Sequence, residues 1–95
     1  MILAKIVGTV VSTKKNDSID GASYRLVESC TQDGSTLGSY FVALDLLGAG
    51  PGELVLVAQG SSARQTGISK DKPIDAVIAG IVDIVEEKNK VVYQK

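Results

Sequence analysis

The sequence predicts a mainly β protein, a small OB-like antiparallel β-barrel with one short helix, on three observations. Apolar residues recur at period two in several runs rich in Val and Ile, which is strand and not helix patterning. Clusters of Gly, Asp, Asn, Ser and Pro separate those runs at short intervals. The chain has 95 residues, one domain's length and about what a five-stranded barrel needs. With almost no helix to cover sheet edges, closing the sheet on itself is the economical solution.

The elements follow in order. Ile2 to Thr13 reads as a long strand, with Ile2, Ala4, Ile6, Gly8 and Val10 on one face and Leu3, Lys5, Val7, Thr9 and Val11 on the other. Lys14 to Ser23 collects turn formers and charge and is expected to be an exposed loop. Tyr24 to Thr31 alternates Leu26, Glu28 and Cys30 against Arg25, Val27 and Ser29. Asp33-Gly34 then signals a hairpin into Ser39 to Leu46.

Gly48-Ala49-Gly50-Pro51-Gly52 cannot continue a strand, because Pro51 has no amide donor and the glycines favour a turn. Glu53 to Gln59 is a fourth strand. Gly60 to Gly67 has a Ser cap and a terminating Gly, enough for the one short helix. After a polar loop and Pro73, Ala76 to Val85 reads as one long strand, which Lys88-Asn89 turns back into Lys90 to Tyr93.

Composition removes whole classes of chemistry. There is no His or Trp, one Cys, one Met, and the aromatics are three Tyr and one Phe. Without His there is no Ser-His-Asp or Cys-His pair, no His-bearing zinc site and no side chain that ordinarily titrates near neutrality. A lone Cys30 forms no internal disulfide, fits a reducing cytosol, and without a base to ionise it reads as a small core residue. Ten basic against eleven acidic residues give a net charge of -1, so no global field draws in nucleic acid or anionic lipid. No apolar run approaches a membrane span, and the start of the chain has no signal-peptide pattern. The expectation is a soluble, unexported protein without cofactor, metal or catalytic residues.

Three motifs need weighing. The glycine run after Leu46-Leu47 resembles a dinucleotide fingerprint, but a strand pattern follows it where a Rossmann unit needs a helix. Asp17, Asp20 and Asp33 lack calcium-loop spacing and read as turn carboxylates. Arg64 sits among Ser61, Ser62 and Ala63, small residues that permit close approach of another chain; its guanidinium bridges subunits, binds an anion, or is a solvated charge at a helix end.

In a small barrel the outward face of each strand should be polar. Here Leu54 and Leu56 alternate with Val55 and Val57, while Ile78, Val82 and Ile84 oppose Val77, Ala79, Ile81 and Val85. Apolar residues on both faces predict that one sheet face is covered by another subunit.

Leu3 to Thr13, Gly48 to Val57 with Gly60-Ser61-Ser62-Ala63-Arg64, and Asp71 to Ala76 leading to Gly80-Ile81-Val82-Asp83 together resemble the bacterial microcompartment vertex proteins of the EutN/CcmL type. The resemblance implies a single shell vertex domain over residues 1–95, located in the shell of a cytoplasmic compartment. It implies a homo-pentamer that caps the vertices of a polyhedral shell beside hexameric shell proteins, with no enzyme activity and no nucleic-acid or membrane partner. Within that reading Gly48, Gly50, Gly52, Glu53, Gly60, Ser61, Ser62, Ala63 and Arg64 are expected at subunit contacts or near the five-fold axis. The alternative from another class is an OB-like binding module for a small anion or nucleic acid.

Overall fold

Residues 1–11, 23–60 and 76–95 are described in the computed structural model, and seven strands run through them. β1 is Ile2–Val10, β2 Ser23–Cys30, β3 Thr36–Asp45, β4 Leu54–Gln59, β5 Ala76–Ile81, β6 Ile84–Glu87 and β7 Lys90–Gln94. The first five close into a barrel in the order β1-β2-β3-β5-β4, with β4 returning to β1. The helix expected over 60–67 falls on residues that, after Gly60, lie outside those described.

The expectation of an antiparallel barrel needs one correction. Most neighbours are antiparallel, but the barrel closes through a parallel β3–β5 contact at Leu44 and Val77. Consecutive strands joined by hairpins must run antiparallel, whereas β3 and β5 are joined by a longer excursion through β4 and are free to run the same way.

The barrel interior is small and aliphatic. Ala4, Ile6, Val27, Ala43, Val55, Val57 and Ile78 are buried together, with Ile2, Phe41 and Ile81 packed against them. Each Val, Leu or Ile taken fully out of water contributes about 1.5 to 3 kcal/mol, so these few side chains supply much of the fold's driving force. Cys30 is buried, as its pattern predicts, and burial pushes its thiol pKa up.

Strand period two fails where β-bulges intervene. On β1, Ile6 faces Val27 while Gly8 faces Leu26, so one residue of β1 is extra at that point. Gly8 and Val10 therefore share the outward face with Leu26 and Tyr24, not the inward face of Ala4 and Ile6 expected from alternation. A second bulge between Leu56 and Val57 gives Ala79 of β5 no direct partner. On the outward side, Leu44, Ala58 and Val77 form a small second cluster with Tyr24 and Leu46.

The strand expected over 76–85 is two strands. After Ile81 the Val82 amide donates to the Leu54 carbonyl at 2.9 Å, and the chain then leaves the barrel at Asp83. β6 and β7 form a separate two-stranded sheet, closed by Lys88 and Asn89 at φ of 53° and 67°. Positive φ at both central residues is the mark of a type I′ hairpin turn. This hairpin rests on the barrel through Gln32 Nε2, which donates to Glu87 Oε1 at 2.8 Å, and through Tyr93, whose ring lies over Gly34.

Candidate assembly interface

The loop between β3 and β4 is organised by Asp45, whose side chain is fully buried. Asp at a strand end favours a turn because its carboxylate reaches the amides just ahead of it. Here Oδ1 accepts from the Leu47 amide at 2.9 Å and the Gly48 amide at 3.1 Å, and Oδ2 accepts from the Ala49 amide at 3.0 Å. Arg25 Nε donates to the same Oδ2 at 3.0 Å, and Arg25 Nη1 donates to Thr9 Oγ1 at 2.9 Å. One carboxylate thus ties β1, β2 and the glycine loop together. Gly48 and Gly52 sit at φ of +77° and +82°, where a side chain would be strained.

Glu53 holds the far end of the loop. Its Oε1 accepts from the Gly50 amide, and its Oε2 pairs with Lys95 Nζ at 2.6 Å. The Gly50 hydrogen bond, followed by Lys95, lowers the Glu53 pKa, and the same pairing raises that of Lys95. The Lys95 amide also donates to the Asp83 carbonyl at 2.8 Å, so the chain after β7 is strapped to the glycine loop. Away from this site, Asp33 accepts from Thr31 Oγ1 and the Ser35 amide, which brings its pKa down to about 2.

Of the residues expected at contacts, Gly48, Gly50, Gly52 and Glu53 are gathered in this one loop. Gly60 is not with them: the loop precedes β4 and Gly60 follows it, at φ of +60°. Six strand residues at about 3.3 Å each put roughly 20 Å between the two segments. Ser61, Ser62, Ala63 and Arg64 lie outside the described residues. Sequence reasoning missed Asp45 and Arg25. The available signal for Asp45 was its place immediately before a turn-forming run; nothing local pairs Arg25 with it across the hairpin.

The outward faces keep large apolar side chains. On β3 Leu37, Tyr40 and Val42 are 60%, 59% and 45% exposed, and on the β1–β4 side Val7 and Leu56 are 41% and 36% exposed. Ile84 and Val91 are exposed on the β6–β7 hairpin. Among the described residues no group of three or more Cys, Asp or Glu is gathered to hold a metal ion, and no helix is long and apolar enough to cross a membrane.

The chain is thus a small closed five-stranded β-barrel with large apolar side chains exposed on its outer surface, the kind of surface that marks protein–protein contact. Comparison with known proteins makes the assignment specific. The family described as ethanolamine utilisation protein EutN/carboxysome matches residues 1–83, and the chain belongs to it. It is 42% identical over 95 residues to the carboxysome shell vertex protein CcmL of Thermosynechococcus vestitus, covering 100% of this chain and 96% of that one. The structure of Gloeobacter violaceus CcmL matches with a TM-score of 0.90 at 41% identity, over 100% of this chain and 98% of that chain. The GrpN pentameric microcompartment shell protein from Rhodospirillum rubrum matches with a TM-score of 0.80 at 47% identity, over 92% and 99%.

Proposed function

We propose that this chain is a structural vertex protein of a bacterial microcompartment shell, assembling as a homo-pentamer that caps shell corners beside hexameric shell proteins. The carrying observation is full-length similarity to proteins named shell vertex proteins, joined to a structural match with a pentameric shell protein. The apolar outward faces of β3 and of β1–β4 support an assembled state, since a monomer would leave them in water. The role is one of geometry, without catalysis and inside the cytoplasm: a sheet of hexagonal units stays flat, and five-fold units let it close. We further infer that the barrel is OB-like, a reading supported by its five strands closing in a β1-β2-β3-β5-β4 ring.

Gly48, Gly50, Gly52 and Glu53 form one proposed contact segment and Gly60 to Arg64 a second. The length of β4, roughly 20 Å, stands between the first segment and Gly60, which supports treating the two as separate contacts. Native mass spectrometry of the untagged protein tests the pentamer. Co-expression with hexameric shell proteins, followed by electron microscopy, tests the vertex role: closed polyhedra are expected with the chain, and open-cornered shells, tubes or sheets without it. Shells that close equally well when this chain and every similar vertex protein are absent would refute the role and favour a binding module.

A further inference from the structure

We infer that the outward face of β3 in one copy docks against the outward β1–β4 face of the next copy around the ring, a reading that rests on the pentamer proposed above. A ring of five is held by heterologous contacts, in which each subunit presents two different surfaces to its two neighbours. Those surfaces must lie on different sides of the subunit, or the ring cannot continue past the first contact.

The strand order supplies such a pair. In the closed order β1-β2-β3-β5-β4, the neighbours of β3 are β2 and β5, which leaves β1 and β4 on the far side of the barrel. Both sides carry large side chains that a monomer leaves wet. Tyr40 and Val42 stand on β3, opposite Glu28 and Leu26 of β2, with Leu37 at the start of the strand. Leu56 stands on β4 between Leu3 of β1 and Gly80 of β5, and Val7 follows at the β1 bulge.

The two surfaces also differ in what surrounds their exposed side chains. β3 meets β5 only at Leu44 and Val77, so the stretch Thr36–Val42 has no strand beyond it among the described residues; Tyr40 and Val42 are exposed there, while Phe41 between them packs on the core. On the β1–β4 surface Gly80 adds no side chain beside Leu56, and Lys5 shares the outward face with Leu3 and Leu56. Tyr40 on one side and Leu56 on the other are the exposed anchors, and a few buried anchors carry most of an interface's affinity, with Lys5 at the edge of the Leu56 side. The exposed Ile84 and Val91 stand on the separate hairpin and take no part.

The test uses charge substitution at these outward positions. Val42→Glu and Leu56→Lys should each raise the protomer concentration for half-assembly at least about tenfold in sedimentation, because each places an unpaired charge in a desolvated contact. The double variant should recover most of that loss, since the two charges then meet across the interface. Val91→Lys should assemble as the wild type does. Unchanged circular dichroism separates lost assembly from lost folding.

With cysteines at positions 42 and 56 in a Cys30→Ala background, a short bismaleimide should give covalent multimers up to five copies, and either cysteine alone should give none. A wild-type chain that stays monomeric overturns the pentamer and this inference together. Wild-type pentamers that tolerate both charges, or that fail to cross-link through the pair, overturn this inference alone. Variants that form pentamers but no longer join hexameric tiles overturn it by assigning the surfaces to those tiles.

Discussion

Replacing Asp45 with Asn is the most informative perturbation of the fold, because it changes charge and hydrogen bonding with almost no change of shape. The Asp45 side chain is fully buried and accepts four bonds, from the amides of Leu47, Gly48 and Ala49 and from Arg25 Nε. In the variant Oδ1 still serves Leu47 and Gly48, but an amide NH₂ replaces Oδ2 and opposes two donors. Hydrogen bonds to a charged group are worth about 1.5 to 3 kcal/mol each, and breaking a buried ion pair by changing one partner costs about 3 to 5 kcal/mol. Arg25 keeps 21% of its side-chain surface in water and recovers some solvation, so the expected loss is about 3 kcal/mol. At about 4 to 8 °C per kcal/mol this lowers the melting temperature by roughly 12 to 24 °C.

Urea unfolding at one fixed protomer concentration is the appropriate assay, since assembly makes apparent stability depend on concentration. Hydrogen exchange should show the Ala49 amide losing protection before those of Leu47 and Gly48. Arg25→Met should cost less than Asp45→Asn, because three backbone donors still satisfy the carboxylate. A loss under about 1 kcal/mol for Asp45→Asn, against that 3 to 5 kcal/mol range, would show that the carboxylate does not hold the loop.

Acid should release the Glu53 strap. A lowered folded pKa means that its contribution is complete above the unfolded value of about 4.3 and disappears as pH falls through the folded one, so Glu53→Gln should be less stable than wild type at neutral pH and converge with it in acid; a gap independent of pH would refute this. The Asp33 carboxyl should titrate at about 2 by carbon-13 NMR, and Thr31→Val should move it up, since the Thr31 hydroxyl is the principal cause of the shift. Gly52→Ala, at φ +82° with open space around it, should cost about 1 to 2 kcal/mol from backbone strain alone. Gly8→Ala, at an ordinary φ with only normal contacts to Leu26, should fall below that by urea unfolding, and equal losses would show that φ is not what distinguishes the two sites.

Local pattern made the strands legible. Ile2–Val10, Leu54–Gln59 and the turns at Asp33-Gly34 and Lys88-Asn89 follow from period two and turn chemistry, and so does the burial of Cys30. Features set by distant partners were not legible. The parallel contact of Leu44 with Val77 joins residues with a whole strand between them, and a bulge such as that after Ile6 is defined by register against β2. The break at Val82 depends on a bond to Leu54, and the Arg25–Asp45 pair exists only once β2 and β3 are in register. Within the candidate site, the glycine loop could be located from composition, but the carboxylates that shape it could not be assigned to it.

Those carboxylates also explain why a run of glycines resembling a phosphate cradle has the opposite character. A phosphate loop binds anions because successive backbone amides converge without partners of their own. In this loop the amides of Leu47, Gly48 and Ala49 converge on Asp45, and that of Gly50 is taken by Glu53. An incoming phosphate would have to displace two carboxylates of the same chain while sharing their sign of charge. The strand that begins at Leu54 removes the helix dipole that would offset this repulsion. The loop is thus a cradle filled by its own sequence, and the glycines serve its tight geometry, with positive φ at Gly48 and Gly52. The same saturation hardens the loop: each amide it satisfies fixes one more residue between β3 and β4.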